Sequence, residues 1–144
     1  MTESFAIQAR GLSKSYGSFT ALKGIALNVP EGSICGLVGP NGAGKSTALK
    51  SLVGLCDAQG EISVLGQDPR RNRASLMKDA CFVADVGVLP RNLRANEILS
   101  YVADVHPRFD RDRAETLLRT ARIDPRKRVK ELSKGMVTQL HLAM

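Results

Sequence analysis

Gly39-Pro40-Asn41-Gly42-Ala43-Gly44-Lys45-Ser46-Thr47 decides how the rest of this chain is read. The stretch carries G-x-x-x-x-G-K-S/T at each fixed position. It follows the apolar run Ser33-Ile34-Cys35-Gly36-Leu37-Val38 directly and opens residues 46–55, where Leu49, Leu52 and Val53 recur at helical spacing. A continuous apolar run is the pattern of a strand buried on both faces, so a strand, a glycine-rich loop and a helix are expected in succession. Glycines at 42 and 44 let the backbone curl until successive N–H groups face inward, and the helix that follows adds the positive end of its dipole. Lys45 supplies a mobile cation for the β- and γ-phosphates, and Ser46 offers a hydroxyl to Mg²⁺. The reading is a site for a nucleoside triphosphate with magnesium, formed by Gly39, Pro40, Asn41, Gly42, Ala43, Gly44, Lys45, Ser46 and Thr47.

Upstream of the loop, residues 5–12 and 21–29 alternate apolar and polar, with Ile25, Leu27 and Val29 on one face. Gly17-Ser18 marks a turn between them, so an antiparallel pair is expected. Downstream, residues 61–66 read as a short strand and residues 67–78 as a basic loop leading into a short helix. Residues 80–84 read as a second strand buried on both faces. Two amphipathic helices follow, one carrying Ile98, Leu99, Val102 and Val105. The other carries Ala114, Leu117, Leu118 and Ala121, with Asp112 and Glu115 as a capping box and Pro125 beyond its end. A last helix starts near Ser133 with Val137, Leu140 and Met144 on one side.

The length, 144 residues with 43% apolar and 24% charged, fits one domain with a real core and excludes a disordered chain. No run approaches the roughly eighteen apolar residues of a membrane span, and Met1-Thr2-Glu3-Ser4 lacks the pattern of a secretory signal. Cys35, Cys56 and Cys81 are odd in number, far apart and flanked by apolar residues, which reads as buried, reduced thiols. His106 and His141 have no neighbours at ligand spacing, so no metal site built from protein ligands alone is expected. The net charge is +7, and from Tyr101 onward ten Lys/Arg stand against six acids. Such a surface attracts anions, yet no aromatics interleave with these charges, which argues against a single-stranded nucleic-acid partner.

Three features taken together resemble the ATP-binding subunit of an ABC transporter: Ser13-Lys14-Ser15-Tyr16-Gly17, the phosphate loop, and Leu132-Ser133-Lys134-Gly135-Met136. The last is similar to that family's signature, usually Leu-Ser-Gly-Gly-Gln, and the Leu-Ser-Lys-Gly-Met variant resembles ATPases serving ABC-2-type export permeases. The resemblance covers nearly the whole chain. It implies an α/β fold: a P-loop NTPase core sheet, an N-terminal antiparallel β-subdomain and a helical signature subdomain. The parts would be residues 1–80 (β-subdomain and phosphate-loop core), 81–105 (a glutamine-loop-like strand and helix) and 106–144 (the helical part). It further implies that Tyr16 stacks on adenine and that Leu132, Ser133, Lys134, Gly135 and Met136 meet the γ-phosphate held by a second, head-to-tail ATP-binding subunit. Ser133 reads independently as a good N-cap, while Lys134 places a cation in the first helical turn, where the dipole favours an anion.

Asp85 departs from the family, which generally has Gln at the end of this strand; a carboxylate there would still take Mg²⁺. Cys81-Phe82-Val83-Ala84-Asp85 also has the shape of a Walker B strand and keeps open a small P-loop kinase, against which the signature and Tyr16 argue. A soluble ABC-type ATPase acting on ribosomes or nucleic acid is a further alternative. The family's Walker B Asp, water-orienting Glu and switch His follow the signature helix, and no apolar run followed by Asp-Glu occurs in these residues. The expectation is a fragment truncated before Walker B that binds Mg-ATP, hydrolyses it poorly and contains no catalytic residue. The family places such a subunit in the cytoplasm, on the inner face of the membrane, through a separate transmembrane permease.

Overall fold

The computed structural model describes residues 4–84 and 89–144, and the chain divides into two compact units, Met1–Phe82 and Val83–Met144. The first unit is built on a three-stranded antiparallel sheet of order β2-β1-β3, with β1 spanning Phe5–Tyr16, β2 Phe19–Pro30 and β3 Gln59–Val64. Gly17-Ser18 closes the hairpin as expected, leaving Tyr16 paired with Phe19 across the turn. Ile7 lies between Val29 and Val64, and Ala9 between Leu27 and Ile62, so alternate residues of β1 share one buried face with both neighbours. Helix α1 (Lys45–Leu52) lays Ala48, Ser51 and Leu52 on that face, closing a core with Ala9, Leu12, Leu22, Ile62 and Val64. The short helix α2 (Arg73–Leu76) adds the fully buried Leu76.

Two features seat β3. At Gly60 φ is +100°, and a Cβ there would stand 2.5 Å from the carbonyl oxygen of Gly11, so only glycine fits against β1. Arg70, in the loop after the strand, then reaches back to the start of β3. One of its Nη atoms donates to the carbonyls of Ala58 (3.1 Å) and Gly60 (3.0 Å), while Nε and the other Nη grip both carboxylate oxygens of Asp68 at 2.9 and 2.8 Å. The Arg70 guanidinium holds the Asp68 carboxyl down at about 2.

The two strands expected to be buried on both faces are not strands. Residues 33–38 and 80–84 have no regular structure, and Ile34 and Val38 are almost fully exposed. A continuous apolar run records a preference for burial; a strand also needs a neighbour to take its backbone N–H and C=O groups, and neither segment has one in the β2-β1-β3 sheet. The cysteines follow suit. Cys35 and Cys81 are exposed, contrary to the expectation of burial, and Cys56 is partly buried with its sulfur 3.0 Å from the Ser51 hydroxyl.

The second unit is a helical cluster of α3 (Ala95–Val105), α4 (Arg111–Thr120) and α5 (Lys134–Ala143), preceded at α5 by a 3-10 turn over Val129–Glu131. Leu99, Leu118 and Leu140 form the centre of its core with Ile98, Ala114, Ile123 and Val129. The apolar stripes are narrower than their periodicity implies: Val105 and Leu117 are exposed, and α3 buries only its N-terminal half through Ala95, Ile98 and Leu99. The cap of α4 is also displaced from expectation. Asp110, not Asp112, is the N-cap, its carboxylate accepting the Arg113 N–H at 2.9 Å, and Glu115 pairs instead with Arg111 one turn back at 2.9 Å. At α5 the expected cap holds, the Ser133 hydroxyl accepting the Met136 N–H at 3.2 Å. Among the described residues, no helix is long and apolar enough to cross a membrane.

Candidate functional site

The phosphate loop leaves the exposed segment 33–38 and turns directly into α1. Its turn at Pro40 is closed by the Ala43 N–H donating to the Pro40 carbonyl (3.2 Å), and the first helical bond runs from the Ala48 N–H to the Gly44 carbonyl (2.8 Å). Gly44 is the helix N-cap with φ +84°. A Cβ there would stand 2.4 Å from the carbonyl oxygen of Ala21 and 2.9 Å from a methyl of Leu22, so the loop rests directly on β2. Glycine thus serves both the left-handed backbone and the close approach.

A glycine cap has no side-chain oxygen, and the first turn of α1 carries no acid. The leading N–H groups of α1 are therefore left for an outside acceptor, at the positive end of the helix. Lys45, the first residue of that turn, bends back over the loop. Its ammonium donates to the carbonyls of Gly39 and Pro40, each at 2.8 Å. An ammonium carries three protons, so two brace the loop and the third remains for a phosphate oxygen. Ser46 is exposed at the same helix start. Bare amides, one held cation and an exposed hydroxyl suit a magnesium-bound polyphosphate.

A cavity of about 470 Å³ opens beside the loop, walled by Phe19, Thr20, Ala21, Leu22 and Lys23 of β2 on one side and by Gly42, Ala43, Gly44 and Lys45 on the other. Tyr16 does not line this cavity. It sits half-exposed at the end of β1 with the Lys14 ammonium 5.2 Å from its ring centroid, a cation–π contact that covers one face. Phe19, its hairpin partner, is the aromatic on the cavity wall and is 60% exposed. No sequence motif marks Phe19; pairing with Tyr16 across the Gly17-Ser18 turn follows from the hairpin, but the approach of β2 to the loop does not.

Leu132, Ser133, Lys134, Gly135 and Met136 lie in the second unit, at the start of α5. Ser133 caps the helix, Lys134 and Gly135 are exposed, and no acid occupies the first turn. A Cβ added at Gly135 would meet only the Ser133 hydroxyl, at 4.0 Å, so the space above it is open. Asp85 lies outside the described residues.

A family model described as ABC transporter matches residues 22–144, a span that contains the phosphate loop and Leu132–Met136 but not Tyr16. The chain is 30% identical to the bacitracin transport ATP-binding protein BcrA of Enterococcus faecalis over 99% of this chain and 47% of that protein. It is 52% identical to the sulfate/thiosulfate import ATP-binding protein CysA of Synechocystis sp. over 40% of this chain and 16% of that protein. Among solved structures, an ATP-binding subunit of an ABC transporter superposes with a TM-score of 0.82 at 26% identity, over 96% of this chain and 60% of the other. A dimeric ATP-binding cassette in a post-hydrolysis state, bound to ADP and Pi, superposes with a TM-score of 0.79 at 25% identity, over 95% of this chain and 67% of the other. The chain spans less than half the length of these curated relatives.

Proposed function

This chain belongs to the ABC transporter family, and from that premise we propose that it is the nucleotide-binding part of an ATP-binding subunit that powers transport. The observation that carries the proposal is the bare amide end of α1 with Lys45 bent over it, set beside an open cavity. In this reading the amides of the Gly39–Thr47 loop hold the β- and γ-phosphates of ATP, and the third Lys45 proton meets them. Ser46 holds the accompanying Mg²⁺, which neutralises phosphate charge when bound, and Asp85 is assigned to that ion as a second oxygen ligand on the chemistry of its carboxylate alone. Tyr16 stacks on the adenine through the ring face that Lys14 does not cover.

The Leu132–Met136 segment is assigned to the γ-phosphate of ATP held by a second, head-to-tail copy, through the α5 amides of Ser133 and Gly135. Ser133 and the cation of Lys134 favour an anion at that helix end. The Leu-Ser-Lys-Gly-Met form supports the ABC-2-type export subgroup, served by a separate permease at the inner face of the membrane. We assign residues 1–80 to the β-subdomain with the phosphate-loop core, 81–105 to a glutamine-loop-like segment and helix, and 106–144 to the helical part with the signature.

The test is sedimentation of the chain with and without Mg-ATP, repeated on Gly135→Asp. Open space above Gly135 admits the new side chain, and Asp in the first turn of α5 suits the helix, so the variant folds. The expected result is self-association driven by Mg-ATP in the parent and none in Gly135→Asp, whose carboxylate repels the incoming phosphate. Equal self-association of the two would contradict the assignment.

A further inference from the structure

Segment 91–96, which leads into α3, runs antiparallel beside segment 125–130, which leads into the 3-10 turn. The Lys130 N–H donates to the Arg91 carbonyl and the Val129 N–H to the Leu93 carbonyl, both at 3.0 Å. In the other direction, the Ala95 N–H donates to the Lys127 carbonyl at 3.1 Å and the Asn96 N–H to the Pro125 carbonyl at 3.0 Å. Arg94 and Arg128 stand directly opposite each other in this ribbon. Like charges facing across a strand pair are unfavourable, and here the backbone imposes the pairing.

Two acids beside the ribbon offset it only in part. Glu97 accepts the backbone N–H of Arg94, and Glu131 that of Arg128, each at 2.6 Å, so these two charges stand against five cations, and neither forms an ion pair with a guanidinium among the described residues. Arg91, Arg94, Lys127, Arg128 and Lys130 are all exposed, and none has an ion-pair partner among the described residues. Leu93, 38% exposed, sits among them.

We propose that this ribbon is a docking surface for an anionic lipid bilayer. Clustered cations gain from a surface of acidic headgroups, and each basic residue held near such a surface multiplies binding several-fold. An exposed leucine inside the cluster has a place among acyl chains that a phosphate backbone does not offer. Neither segment contains an aromatic residue on which bases could stack. The proposal stands on charge and backbone pairing in the second unit and is independent of nucleotide binding at Lys45.

The experiment is co-sedimentation of the whole chain with vesicles of phosphatidylcholine alone and of phosphatidylcholine containing about one-third phosphatidylserine. The parent is expected to bind only the mixed vesicles and to be released as salt rises. Arg94→Gln with Arg128→Gln is expected to weaken that binding roughly tenfold or more. Lys50→Gln with Arg73→Gln, which removes the same charge elsewhere, is expected to leave it unchanged. Circular dichroism checks that both double variants keep their helices, and Lys127→Gln with Lys130→Gln provides a second ribbon variant should the first unfold. Equal binding by the ribbon and control variants overturns the proposal, as does tighter ribbon-dependent binding to a duplex or single-stranded oligonucleotide than to the mixed vesicles. Unchanged heat of Mg-ATP binding in the ribbon variants separates this outcome from any failure of the nucleotide reading.

Discussion

The Lys45 ammonium lies 2.8 Å from the carbonyl oxygen of Gly39, the residue that opens the phosphate loop, while Lys45 itself opens α1. One side chain therefore ties the start of the loop to the start of the helix. The same bond keeps the cation over the amides rather than out in solvent, so the charge needed for a phosphate is in place beforehand. Preorganisation of this kind removes part of the ordering cost of binding.

The loop's glycines differ in what they tolerate. Gly42→Ala meets open space but keeps φ at +86°, and should cost about 1 kcal/mol, the left-handed penalty alone. Gly44→Ala carries that penalty and also drives its Cβ into the Ala21 carbonyl and Leu22, so it should cost about 3 kcal/mol or more. Urea denaturation of the two variants checks the order. Equal losses would mean that the loop does not rest on β2.

Asp68 makes the first unit acid-sensitive. Its carboxyl titrates at about 2 in the fold against an ordinary 3.8, because Arg70 grips the charged form. A depressed carboxyl stabilises the fold fully above the ordinary value, and that contribution is lost as pH falls toward 2. Asp68→Asn should cost about 1 kcal/mol at neutral pH and leave a flatter stability profile between pH 4 and 2. Stability profiles that run parallel in parent and variant over that range would remove Asp68 from this role.

The α4 cap separates two neighbouring aspartates. Asp110→Ala should lower stability by about 1 kcal/mol through loss of the bond to the Arg113 N–H, whereas Asp112→Ala should cost only a few tenths. Thermal melts of the two variants decide which residue caps the helix.

Turnover follows from what the described site holds. Lys45 and the loop amides neutralise phosphate charge, but hydrolysis also needs a group that positions water. Phosphate release from Mg-ATP by this chain alone should be no faster than by Lys45→Ala. A large, Lys45-dependent rate would place the water-positioning group within these residues.

How much of this was legible in the sequence depended on whether the cause was local. The β1–β2 hairpin, α1 and the Ser133 cap were readable because Gly17-Ser18, the glycine-rich loop and a serine before an apolar stripe each act within a few residues. Segments 33–38 and 80–84 were misread because composition signals a wish for burial, while pairing depends on which backbone lies alongside. The capping box at Asp112 and Glu115 gives way to a cap at Asp110 because the two aspartates differ only in where α4 begins, and helix ends are set by tertiary fit within a residue or two. In the site, the loop was readable residue by residue. Phe19 was not, since nothing local distinguishes an aromatic on a cavity wall from one on an open surface. The pairing of Arg94 with Arg128 joins positions far apart in the chain, and charge counts along a sequence do not show which cations become neighbours.

Titration calorimetry with Mg-ATP on the parent chain and on Lys45→Ala tests the central claim most directly. The account predicts saturable heat for the parent and affinity weaker by roughly tenfold or more in the variant, the loss of one charge-assisted contact to phosphate. Indistinguishable binding curves, or no heat in either protein, would contradict it.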